Sequence, residues 1–165
     1  MTHKKEIVAQ ICTELSVHAQ IEEEIFYPAV KQALKDKKLV PEATVEHATL
    51  KGLIAQVEDA EPDNEMFDAK MKVMSEYVQH HVQEEQNEMF PKAKASKMDM
   101  MELGMKLTDR KAELMAEHDS HSEDMKQQHL KSASVRATAD SGFAQKGIRQ
   151  EHRLLKHRRT ADQTL

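Results

Sequence analysis

Several things are scarce in this chain of 165 residues: there is one cysteine, no tryptophan, four glycines, four prolines and 4% aromatic residues. A single thiol, Cys12, excludes an intrachain disulfide framework and any zinc site built from several cysteines. Few aromatic and glycine residues argue against a sandwich or barrel, while abundant Met, Lys, Glu, Gln and Ala favour helix. No apolar run approaches the roughly 20 residues needed to cross a bilayer. The start, Met1-Thr2-His3-Lys4-Lys5, is basic, but Glu6 and Gln10 interrupt the apolar residues after it, so it does not read as a signal peptide. The expectation is a soluble, cytoplasmic, all-helical protein of one principal domain.

Charge divides the chain. Residues 118–165 hold nine Lys/Arg and six Asp/Glu, a balance of +3, so residues 1–117 carry 15 minus 23, or −8. Four helices are predicted in the acidic part, over 4–33, 41–60, 64–90 and 97–117. Pro41 suits a first helical turn, Pro62-Asp63-Asn64 is a turn with capping residues, and Ser96 with Asp99 resembles a capping box. Pro28 should kink or shorten the first helix. The stretch 131–147, rich in Ser, Ala, Thr and Gly, reads as a flexible linker within a weakly basic tail, 118–165, with a short helix over 146–159. Without interleaved aromatics the basic end makes a poor nucleic-acid site.

Ten histidines are the unusual feature, and their placement carries the argument. The first predicted helix spaces Ile11, Leu15, His18, Glu22, Ile25 and Ala29 by alternating fours and threes. The second does so with Ala43, His47, Leu50, Ile54 and Val57, and the third with Phe67, Met71, Met74, Val78, His81 and Glu85. Such a stripe is the buried seam of a helix in a bundle. Each is apolar except at the middle, where histidine or carboxylate intrudes. Polar groups in a core cost several kcal/mol unless paired or bound to metal.

A second regularity sharpens the reading. His18-Ala-Gln-Ile-Glu22-Glu-Glu-Ile-Phe-Tyr-Pro28 and His81-Val-Gln-Glu-Glu85-Gln-Asn-Glu-Met-Phe-Pro91 both place Glu four residues after His and Pro six residues after Glu. An i, i+4 pair shares one helical face, so each helix offers an imidazole and a carboxylate to one point, about a pseudo-twofold axis. With His47 they form an N/O set suited to iron, manganese or zinc, and helix bundles build dinuclear carboxylate sites in this way. His80 and Glu84 form an adjacent i, i+4 pair off the stripe. Glu23, Glu24 and Glu88 are placed outside the ligand set, and Cys12 beside the stripe is expected to be an inert, partly buried thiol.

These segments, with Glu46-His47 and His80-His81-Val-Gln-Glu-Glu85, resemble the hemerythrin HHE cation-binding family over roughly residues 5–117. The resemblance implies an all-α, up-down four-helix bundle holding a non-haem, oxo- or hydroxo-bridged di-iron centre. It implies His18, Glu22, His47, His81 and Glu85 as iron ligands, with Glu22 and Glu85 as bridges. It also implies a protein that binds dioxygen or another diatomic ligand, or senses oxygen or iron, rather than an enzyme. Nitric-oxide or iron–sulfur repair on the same scaffold is the alternative, and a non-metal helical dimerisation module is a third reading. Against the family pattern, the chain begins after the position of the usual first helix, and position 51 is Lys where oxygen carriers have a second histidine. The expectation is therefore an apolar groove between the first and third helices and an incomplete site. A homodimer would complete it, or the tail, whose Glu151-His152-Arg-Leu-Leu-Lys156 echoes Glu46-His47-Ala-Thr-Leu-Lys51 and offers His152 as a further ligand.

Overall fold

A computed structural model of the chain describes residues 3–35, 37–62, 64–128 and 131, all of it helix or connecting turn. The chain divides into two compact units, Met1–His118 and Asp119–Leu165. Of the second, 119–128 and 131 are described and are helical. The helix expected over 146–159, with His152, and all but the first residue of the linker expected over 131–147 lie outside the described residues.

In the first unit, α1 spans His3–Ile21, passes through a π turn at Glu22–Phe26 and continues as α2, Tyr27–Ala33. Then come α3 (Leu39–Glu58), α4 (Glu65–Glu84), a second π turn (Glu85–Met89) and α5 (Phe90–Ala95). Finally α6 begins at residue 100 and runs through 118. Side-chain caps set the starts of the later helices. Asn64 Oδ1 accepts from the Met66 amide, and Asp99 Oδ1 accepts from the amides of Met101 and Glu102. Asp99, rather than Ser96, therefore caps α6. Ser96 instead donates to the Ala93 carbonyl and accepts from the Met98 amide, closing the turn after α5.

Three apolar clusters establish the topology. Val8 and Cys12 of α1 meet Leu50, Ile54 and Val57 near the end of α3, and Phe67 and Met74 near the start of α4. At the opposite end Phe26, Tyr27 and Val30 meet Val40, Ala43, Met89, Ala93 and Leu103. Val17 and Ile21 pack on Leu114 of α6. Successive helices therefore alternate in direction, giving an up-down bundle. Burial of side chains as large as Phe67 and Met74 contributes roughly 2–3 kcal/mol each. By contrast, the Glu24–Arg110 and Glu14–Lys111 ion pairs, which tie α6 to the first π turn and to α1, are solvent-accessible and weak.

The expected stripe of α3 holds, with Ala43, His47, Leu50, Ile54 and Val57 buried; on α4 Phe67, Met74, His81 and Glu85 are buried, but Met71 and Val78 are half-buried. That of α1 is rotated. Val8, Cys12 and Ala19 are buried, while Ile11 is exposed and Leu15 half-buried. Cys12 lies wholly inside the core, deeper than its place beside the stripe implied. The reason is an open groove of about 280 Å³ between α1 and α4, lined by Ile11, Leu15, Met71, Met74, Ser75, Val78 and Gln79. The groove expected between these helices is thus present.

Candidate metal centre

The two π turns begin at Glu22 and Glu85, the two carboxylates expected to bridge. The matching prolines explain them. A proline clashes with the carbonyl four residues back and donates no hydrogen bond. Here the amides of Tyr27 and Phe90 reach back five residues to the carbonyls of Glu22 and Glu85. The widened turn accommodates Pro28 and Pro91 in the next helical turn, so the helix continues to Ala33 instead of breaking. It also alters the faces. Residues five apart lie about 140° apart on an α-helix; the i→i+5 turn brings Glu22 and Tyr27 towards the same interior.

Five side chains converge beside these turns. The ligand atoms of His18, Glu22, His81 and Glu85 all lie within 4.8 Å of one another. His47 points its Nε2 at the same place, 3.0 Å from His81 Nε2 and 3.4 Å from Glu22 Oε2. His18 Nε2 is also 3.4 Å from Glu22 Oε2. Glu22, His47, His81 and Glu85 are buried, and His18 is half-buried. All five sequence-expected residues of the described chain are thus gathered in one place.

A supporting ring fixes the imidazoles. His81 Nδ1 lies 2.6 Å from Glu46 Oε2, and His47 Nδ1 lies 3.2 Å from Glu23 Oε1. Lys51 Nζ holds both oxygens of Glu23, at 2.8 and 2.7 Å. The lysine that stands in place of a second histidine therefore braces the carboxylate behind His47. Carboxylates accept, so each Nδ1 carries the proton and donates. With each Nδ1 turned to its carboxylate, the two Nε2 atoms face each other inward at 3.0 Å. A cation shared by the two rings would satisfy both nitrogens. Metal-bound histidines are commonly backed by a carboxylate on the other ring nitrogen in this way.

Tyr27 is the participant that sequence reasoning left out. Its buried hydroxyl lies 3.0 Å from His47 Nε2 and donates to Glu85 Oε1 at 3.1 Å. The available signal was the residue before the matched proline, Tyr before Pro28 against Phe before Pro91. Burial and the carboxylates of Glu85 and Glu22 hold the phenol well above its ordinary value. Burial, then the neighbouring Glu22, pushes the Glu85 carboxyl up to about 7, and burial pushes His18 down. Among these crowded groups Glu22 Oε2 is buried with no hydrogen-bond partner. An orphaned carboxylate oxygen among inward-facing imidazole nitrogens fits a transition-metal cation, which would satisfy all of them together.

Fold and site together define a helical bundle with a buried histidine–carboxylate cluster that could hold a cation. A family model for the hemerythrin HHE cation binding domain matches residues 2–93, more than half of the chain, and the chain belongs to that family. No curated protein and no solved structure matches it. Among the described residues, no helix is long and apolar enough to cross a membrane.

Proposed function

We propose that this chain is a non-haem iron protein of the cytoplasm whose domain, residues 1–117, holds a di-iron centre and binds dioxygen or another diatomic ligand, as a carrier or as a sensor of oxygen or iron. The observation that carries the reading is the pair of Nε2 atoms of His47 and His81, 3.0 Å apart, each ring held from behind by a carboxylate. His18, Glu22, His47, His81 and Glu85 would hold the metal, with Glu22 and Glu85 as the bridges between ions. Iron in such a set supplies reversible one-electron chemistry towards small diatomic molecules. The chain's own contribution is to orient and to exclude water. Glu23 and Glu46 fix the two buried imidazoles, and Tyr27 offers a proton donor beside Glu85. Leu50 and Ile54 close the apolar side.

Binding is favoured over iron–sulfur or nitric-oxide repair because the chain's one cysteine, Cys12, is fully buried, with its thiol pushed up to about 11 by burial and by Glu58. A homodimer is a second reading, favoured by the apolar groove between α1 and α4. Untagged protein loaded with ferrous iron without oxygen and then analysed for metal and mass tests both. Two irons per chain and an oxygen-dependent near-ultraviolet and visible band support the centre, whereas negligible iron overturns it. A mass of one chain at all concentrations overturns the dimer.

A further inference from the structure

The pair His80 and Glu84 duplicates His81 and Glu85 one residue earlier and takes no part in the buried centre. Its side chains face outward, with His80 62% exposed and Glu84 37%. They nevertheless converge on Glu46. His80 Nε2 lies 3.3 Å from Glu84 Oε1 and 3.8 Å from Glu46 Oε1. The ligand atoms of Glu46, His80 and Glu84 all lie within 4.8 Å of one another. Glu46 is divided between two tasks: Oε2 holds His81 Nδ1 at 2.6 Å, which leaves Oε1 turned to His80. Two carboxylates are thus brought together around one imidazole.

We infer that Glu46, His80 and Glu84 form a second, solvent-open site for an exchangeable divalent transition-metal cation. One imidazole nitrogen and two carboxylate oxygens suit manganese, ferrous iron or zinc, with the remaining positions left to water. A cation there offsets the repulsion between the carboxylates of Glu46 and Glu84. Because Glu46 sits rigidly on α3 and only His80 and Glu84 need to order, the site is preformed but exposed. It is therefore weaker and faster to exchange than the buried one. The inference goes beyond the proposed function and stands whether or not the buried centre holds iron.

Titration of metal-stripped full-length protein with Mn2+, followed by loss of the aqueous ion's electron paramagnetic resonance signal, tests it. Wild type is expected to bind one weak, rapidly exchanging equivalent. His80→Ala and Glu84→Gln should each weaken that equivalent ~10-fold or more, with unchanged circular dichroism because neither side chain is in the core. His18→Ala, which touches only the buried cluster, should leave it in place, so failure of the buried centre and failure of this site are distinguishable. No weak equivalent in wild type, or one that survives both His80→Ala and Glu84→Gln, overturns the inference.

Discussion

Glu85 makes the metal-free protein less stable as pH rises. Burial and the adjacent Glu22 move its carboxyl from the ordinary 4.5 to about 7. Between those values the unfolded chain has already released the proton that the folded chain keeps, so unfolding is favoured as pH increases. The contribution is complete below 4.5 and is lost as pH rises through about 7. At about 1.4 kcal/mol for each tenfold change in proton affinity, the gap has a ceiling of roughly 3 kcal/mol. Glu85 is 3% exposed, so solvent screening reduces this little. His18, pushed down by burial, acts in the opposite sense: its contribution is lost as pH falls below its ordinary 6.5 and through its lowered folded value. The wild-type curve mixes the two, and Glu85→Gln isolates one. In urea unfolding of metal-stripped protein, Glu85→Gln should gain roughly 2–3 kcal/mol on wild type between about pH 5 and about pH 8. Loading with ferrous iron should reverse the trend in wild type, because the ligand is the carboxylate, and should do so far less in the variant. A gap between the two proteins that stays constant with pH would refute the reasoning.

The other predictions rest on position and backing. His18→Ala and His81→Ala should each lower iron per chain strongly, while His80→Ala retains it; metal analysis of the three gives the ranking, and the reverse order moves the centre by one residue. Glu46→Gln should weaken iron binding roughly 10–100-fold in chelator competition, since it removes the charge behind His81 Nδ1 without touching an inward-facing atom. Cys12 should resist thiol reagents at neutral pH in the native protein and react fully in denaturant, because it is buried and its thiol is pushed up to about 11; complete native labelling would contradict its place in the core.

Much of the fold and site was legible because metal chemistry leaves a trace in the hydrophobic pattern. On α3, His47 falls in line with Ala43, Leu50, Ile54 and Val57, and all five are buried. A spacing rule that finds a core also finds the polar residue forced into it. The rule misled on α1 for a physical reason. Ile11 and Leu15 are apolar but face an open groove, whereas Cys12 and Ala19, one step round, face the neighbours that bury them. Periodicity gives the direction of an apolar face but not whether anything covers it.

The prolines reveal a deeper limit. Read by propensity, Pro28 and Pro91 are breakers, and a kink is the direct expectation. Both chain segments answer the clash by widening one turn, and both widen it at the carboxylate six residues earlier. That choice is not encoded in any local preference, because an isolated helix would fray at the proline at lower cost. It is favoured only where the inserted residue brings a useful side chain inward. On the first segment that side chain is Tyr27, bonded to Glu85 and facing His47; on the other it is Phe90, in a tilted ring contact with Phe26 at 5.3 Å. The repeated Glu-to-Pro interval is therefore a backbone signal as much as a ligand signal. The two halves differ at the one position where one turn delivers a hydroxyl to the site and the other delivers apolar packing.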